Sequence, residues 1–268
     1  LEQDGWHILD PDSGALACKT VGAGRLPEPW FIFDRVSAML TRKDLAGKNV
    51  LISAGPTVEA IDPVRYVSNH SSGKMGYAVA RAAENRGAAV TLVSGPVHLQ
   101  TPPGVERVDV SSCEDMARAM LDHLPGADII IKVAAVADYR PEDPKSDKIK
   151  KTGADDGLNL RMTQNPDILK AIGRKKRKDQ FLVGFAAETR DLKTYALGKM
   201  EKKNLDMIAA NIVGQAGSGF AADTNKMTLF SRDGDSHDIP LMAKEDAAHI
   251  LIDKILRQIG KAQIQTVR

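Results

Sequence analysis

A doubly wound α/β fold, with a mostly parallel sheet covered by helices on both faces, is what this 268-residue sequence predicts. Three observations carry that expectation. Apolar runs of strand length alternate with segments of helical spacing over most of the chain from Lys48 onward. Gly- and Pro-containing turns punctuate the alternation, as at Gly87 and Ser94-Gly95-Pro96. Hydrophobic residues make up 43% of the chain but aromatics only 4%, so the core has to be aliphatic.

Residues 1–43 differ from the rest: both Trp and three of the six Phe fall there, with little periodicity. Gly22 to Pro29 reads as turn and loop, and Met39 to Lys43 as a linker. Asn49 to Ser53 is then a short buried strand. A long loop, Ala54 to Gly73, follows it, and long ordered loops in compact domains are usually functional. Met75, Val79, Ala82 and Ala83 mark a helix from Met75 to Arg86, with Gly87 suited to its C-terminal end. Ala89 to Val93 and Val105 to Val110 are the next strands. Ser112, followed by Glu114 and Asp115, starts a helix to about His123. Asp128 to Ile131 opens a fourth strand ending near Ala137-Asp138. A charged loop spans Tyr139 to Asp156. A short strand at Leu158 to Met162 precedes Asn165-Pro166, where proline suits a first helical turn. Phe181 to Ala186 is a strand, Arg190 to Lys203 a helix, and Asp206 to Val213 another strand. Met227 to Phe230 and His237 to Leu241 flank the hairpin signal Asp233-Gly234. Lys244 to Ile259 is a closing amphipathic helix.

Several classes are excluded or left without support. A net charge of +2 is too balanced to indicate nucleic acid or a membrane surface. The two cysteines, Cys18 and Cys113, are too few and too far apart for a disulfide framework or a zinc site. No apolar run approaches membrane-spanning length and no signal peptide is visible, so a cytoplasmic protein is expected. The chain opens on Leu1, so a native start upstream is also expected.

In such sheets ligands sit beyond the carboxyl ends of the strands. Ser68-Asn69-His70-Ser71-Ser72-Gly73-Lys74-Met75-Gly76 enters a helix through small, polar and Gly residues, which offers unpaired N–H groups to an anion. It is not a Walker A loop, because Gly73-Lys74 is followed by Met75, nor a dinucleotide fingerprint, because its glycines do not directly follow the strand. Asp138, at a strand's carboxyl end, suits a cation or a ribose hydroxyl, or simply a turn. Lys145 to Gly153 is a basic loop, either solvated or able to close over a polyphosphate. Asn165-Pro166-Asp167-Ile168 is a helix entrance or an anion-reading one. Phe185 could stack on a base or lie in the core. Lys199 and Lys203 share one helix face. Tyr195 and Lys199 have the spacing of a nicotinamide-dependent reductase, without that class's glycine motif.

Taken together, Ala54-Gly55-Pro56-Thr57, Asp62-Pro63-Val64-Arg65-Tyr66, Ser68 to Gly76, Ala134 to Arg140, Lys148-Ile149-Lys150-Lys151, Asn165 to Ile168, Gly184 to Thr189 and Lys199 to Asp206 with Ala210-Asn211 resemble phosphopantothenoylcysteine synthetase. The likeness spans nearly all of 45–260. Pro11 to Gly14, Ala17-Cys18 and Gly24 to Leu26 resemble the end of the flavin-dependent decarboxylase that precedes this synthetase in one polypeptide. The expected division is therefore a decarboxylase remnant and linker at 1–43 and a ligase domain at 44–268. FMN would belong only to the missing decarboxylase body, and no decarboxylase activity is expected.

The resemblance implies a Rossmann-like fold with a small β-hairpin extension, and a ligation in two steps. The carboxylate of 4′-phosphopantothenate attacks the α-phosphorus of CTP, and L-cysteine then displaces CMP from the acyl-cytidylate. Mg²⁺ (or Mn²⁺) would accompany the triphosphate. Asn69 and Lys148 match the catalytic positions. Ala134, Ala135, Asp138, Lys148, Asn165, Pro166, Asp167, Ile168, Phe185, Lys199 and Lys203 match nucleotide-site positions, with Asp138 also the metal candidate. The family implies a homodimer. Lys132 departs from the pattern, standing where a small or apolar residue is expected. A lysine there should be paired or at the sheet's edge.

Overall fold

The computed structural model describes residues 1–150, 157–188, 192–212, 219 and 221–266. The first elements are β1 (Asp12–Ala15), β2 (Val21–Arg25), α1 (Pro29–Leu40), β3 (Asn49–Ala54), β4 (Glu59–Ala60), β5 (Tyr66–Val67), α2 (Lys74–Asn85), β6 (Ala89–Ser94), β7 (Val105–Asp109) and α3 (Cys113–His123). Then come β8 (Ile129–Lys132), β9 (Tyr139–Pro141), β10 (Met162–Gln164), α4 (Ile168–Lys175), β11 (Phe181–Glu188), α5 (Leu192–Lys202), β12 (Met207–Ile212), β13 (Thr224–Ser231), β14 (Ser236–Ala243) and α6 (Lys244–Thr266).

Eight strands form one sheet in the order β14-β13-β12-β11-β8-β3-β6-β7. The six from β12 to β7 are parallel, and β13 and β14 add antiparallel to one side. The chain winds outward from β3 to β7, returns to β8 and winds the other way. The order therefore reverses between β3 and β8, the place where sheets of this kind carry their ligand crevice.

Two apolar layers hold the sheet. On one face Val50, Ile52, Leu92, Ile129 and Ile131 pack against Val79, Ala82 and Ala83 of α2 and Leu251, Ile252 and Ile255 of α6. On the other, Leu51, Ile130 and Leu182 meet Met116 and Met120 of α3, Ile172 of α4 and Met200 of α5. The alanines of α2 bring it close to β3. A Cβ on Gly76 would stand 2.5 Å from the Ala54 Cβ, so only glycine permits this approach. α3 starts as its sequence predicts. The Ser112 hydroxyl accepts from the Asp115 N–H, and the Asp115 carboxylate accepts from the Ser112 N–H.

Several boundaries differ from expectation. Residues 1–43 carry a β-hairpin and a helix, so Gly22 to Arg25 is strand rather than loop, and Met39 and Leu40 belong to α1 rather than to a linker. β8 stops at Lys132. Beyond it only Ala135 continues, as a single parallel bridge to Pro56. The strand expected at Leu158 to Met162 lies at Met162–Gln164, paired with β9. The hairpin strands are eight residues each, because their apolar positions alternate with polar ones that the shorter expectation left out. The long loop holds its own two-residue ladder, β4 with β5. Of the expected elements, Arg190 and Val213, and with them Lys151 to Gly153 of the basic loop, lie outside the described residues.

Candidate functional site

A cavity of about 350 Å³ lies at the point of strand reversal, bordered by Gly55, Asn69, Lys74, Lys132, Ala134, Ala135, Asp138 and Phe185, among others. Two loops build it. After β3, Gly55 accepts from the Ala135 N–H at 3.0 Å, and Thr57 is fully buried with its hydroxyl accepting from the Ala137 N–H at 3.0 Å. The two loops are thus laced together through backbone groups that would otherwise be unpaired.

Asn69 is fixed by this lacing. Its amide NH₂ donates to the Ala135 carbonyl, and its amide oxygen accepts from the Ser71 N–H at 2.9 Å. Ser68 next to it donates to the Thr57 carbonyl at 2.7 Å. The chain then turns into α2 through Gly73 at φ +78°, a left-handed conformation that side chains other than glycine disfavour. Gly73 has no side chain with which to cap α2, and Gly73, Lys74, Met75 and Gly76 at the start of the helix border the cavity.

Of the expected site residues, the structure brings Asn69, Ala134, Ala135, Asp138 and Phe185 to one cavity. The Asn165 group sits just behind it. The Asn165 N–H donates to the Asp138 carbonyl at 2.8 Å, and its side chain donates to the Ala137 carbonyl at 2.8 Å. Pro166 accepts through its carbonyl from the Cys113 thiol at 3.6 Å. Asp167 caps α4 by accepting from the Lys170 N–H at 3.0 Å and pairs with Lys203 at 3.1 Å. Burial opposes its charge, but those partners still hold its carboxyl below the ordinary range. The Ile168 side chain is buried in the core, leaving its backbone as the part able to meet a ligand. Lys199 lies on α5 and Lys203 one turn on, just past its end, and neither borders the cavity.

Lys148 is exposed, yet its neighbours are anchored. Asp62, with its side chain fully buried, accepts from the N–H groups of Val64, Arg65 and Ile149. Arg65 pairs with Asp62 and donates to the Ile149 carbonyl at 2.9 Å. The guanidinium beside Asp62 holds its carboxyl well below the usual range. Lys145 donates its N–H to the Ile61 carbonyl at 2.9 Å. Lys148 therefore rides a short span tied down at both ends. The acid–base pair three residues apart in Asp62-Pro63-Val64-Arg65 was the sequence signal for this tie.

Lys74 and Lys244 border the cavity on the other side. Lys244, the buried first residue of α6, donates to the carbonyls of Gly219 and Ala222, and burial together with Lys74 pushes its ammonium below the ordinary range. With Asn225, it is a lining residue that sequence reasoning missed, because both arrive from the last quarter of the chain. Among the described residues Lys132 lies neither at an edge nor in an ion pair. β8 is paired on both sides, and the Lys132 ammonium donates to the Ala134 carbonyl at 2.8 Å. Among the described residues no group of three or more His, Cys, Asp or Glu could hold a metal, and no helix is long and apolar enough to cross a membrane.

The sheet order and the position of the cavity define an α/β domain with a ligand site at its strand reversal. The family model described as DNA/pantothenate metabolism flavoprotein C-terminal domain matches residues 45–259, and the chain belongs to that family. It is 49% identical over 255 residues to the coenzyme A biosynthesis bifunctional protein CoaBC of Vibrio parahaemolyticus, covering 95% of this chain and 64% of that one. Against the CoaBC of Bacillus subtilis it is 48% identical over 270 residues, covering 99% and 65%. The chain thus spans just under two thirds of the length of these relatives. The crystal structure of a CoaBC C-terminal domain superposes with a TM-score of 0.70 at 42% identity, covering 82% of this chain and 99% of that one. A Cab2 mutant complexed with phosphopantothenate-cysteine shares the fold, at a TM-score of 0.65 and 15% identity.

Proposed function

We propose that this domain joins L-cysteine to 4′-phosphopantothenate at the expense of CTP, through an acyl-cytidylate, as a step of coenzyme A biosynthesis. The observation that carries the reading is Asn69, its amide fixed between the Ala135 carbonyl and the Ser71 N–H in a cavity at the strand reversal. Family membership and the relatives' role in coenzyme A biosynthesis support it.

The reacting carboxylate sits against Asn69. The side chain orients the acyl phosphate without adding charge and leaves one face open to the cysteine amine. Lys148 meets the triphosphate and offsets the charge that develops as pyrophosphate leaves. Lys145 to Lys150 limits water access to the hydrolysable intermediate. Asp138, Asn165 to Ile168, Phe185, Lys199 and Lys203 surround the nucleotide, with Ala134 and Ala135 offering backbone groups. A single exposed carboxylate suits Mg²⁺ that arrives on a nucleotide and keeps most of its waters, so Asp138 fits that cation, which would neutralise phosphate charge. The division at residues 43 and 44, a homodimer and a cytoplasmic setting belong to the same proposal.

Incubation with CTP, 4′-phosphopantothenate and Mg²⁺ is expected to release pyrophosphate, and added cysteine to yield CMP and the amide. Carbonyl-dependent oxidation of a nicotinamide cofactor, or nucleotide binding without turnover, would overturn the reading.

A further inference from the structure

Lys132 is a cation in the centre of a sheet. Its register partners are Ser53 of β3 and Gly184 of β11. Register partners in a parallel sheet point to the same face. A Cβ on Gly184 would meet Leu169 and Leu205 within 3 Å, so that face is the one covered by α3, α4 and α5. The Lys132 stem therefore rises on the side of these helices, and the residue borders the cavity.

The charged groups facing it are few. Lys203 comes from the end of α5, Asp167 from the cap of α4, Cys113 from the start of α3 and Asp138 from the chain beyond β8. Burial, and next the Lys203 charge, push the Lys132 ammonium down to about 8. Burial raises the Cys113 thiol to about 11, so it is neutral near pH 7. Lys132 thus faces one other cation and two carboxylates, and Cys113 beside it also faces Glu59, Arg140 and Glu114. Asp167 is already committed to the Lys170 N–H and to Lys203.

A corner of mixed charge, lined by carboxylates, is a poor place for phosphate and a good one for a neutral ring bearing hydrogen-bond acceptors. An ammonium carries three donors, of which one serves the Ala134 carbonyl. We propose that Lys132 reads the acceptor edge of a pyrimidine base, donating to its ring carbonyl while holding the strand end at Ala134 in place. This rests on the proposed nucleotide-activated ligation and adds to it a residue that selects the base.

The test is Lys132→Met, which keeps the length of the side chain and removes the charge. Because this substitution also frees the Ala134 carbonyl, thermal unfolding is measured alongside, and Lys132→Arg keeps a donor there. The KM for CTP is expected to rise about tenfold, with kcat and the KM for 4′-phosphopantothenate within about twofold. In the native protein kcat/KM for CTP is expected to fall as pH rises through about 8, because the protonated ammonium is the binding form. Lys132→Met lacks that alkaline limb. Lys132→Arg, whose charge does not titrate, keeps CTP binding and also lacks the limb. A Lys132→Met enzyme with native KM for CTP and an unchanged alkaline limb would overturn the inference and leave the ligase reading intact. Absence of pyrophosphate release by the native protein would overturn both.

Discussion

The loop that carries Asn69 and the segment that carries Lys148 depart from neighbouring strands, yet they are held in different ways. Asn69 has both ends of its side-chain amide engaged, and its loop is laced to the chain after β8 at Gly55 and Thr57, with Ser68 bonding back to Thr57. Lys148 has an exposed side chain, and only its backbone neighbours are tied, at Lys145 and Ile149. The first arrangement suits a group that must keep one orientation through a reaction. The second suits a charge that must reach phosphates after they bind. Preorganisation and delivery are thus assigned to different loops of one fold.

The largest break in that contrast is expected from Lys148→Gln. Losing a cation at the leaving phosphates should slow cysteine-independent pyrophosphate release by about 10³-fold. Thermal unfolding should not change, because the side chain is exposed. Asn69→Asp should slow amide formation by about 10²-fold while pyrophosphate release continues, so that acyl-cytidylate accumulates and is seen by chromatography. Normal turnover of this variant would remove Asn69 from the mechanism. Asp62→Asn sharpens the contrast from the other side. It frees Ile149, and pyrophosphate release should fall about tenfold by misplacing Lys148 without touching it. Because Asp62 titrates below the usual range in the fold, its stabilising effect is present above the unfolded-state value, about 4, and is lost only in acid below it. The tie therefore persists at all neutral pH values. The smallest effect is expected from Thr57→Val, which leaves the Ala137 N–H without its acceptor. About 1–3 kcal/mol should be lost, read as a Tm lowered by several degrees.

How far the sequence revealed all this depended on whether the cause was local. β3, α2 and the start of α3 were legible because strand run, helical spacing and capping box are set by adjacent residues. The hairpin and helix within residues 12–40 were not, because their exposed apolar side chains, such as Phe33 and Leu40, obscure any periodic pattern. Asn69 could be singled out from its Gly-rich surroundings. Its partner Ala135 stands 66 residues away and is visible only once β3 and β8 are neighbours. Lys132 could be noticed as out of place, but it takes the positions of Lys203 and Asp167 to say what surrounds it.

Arg86, at the carboxyl end of α2, is buried and donates to Asp44 just before β3 and to Asp253 on α6. The segment that leads into the sheet and the helix that follows its last strand therefore meet at one guanidinium. The other end of the same helix, Gly73, opens onto the cavity. A shift of either flanking segment at this guanidinium is therefore felt by α2, the helix whose first turn borders the cavity.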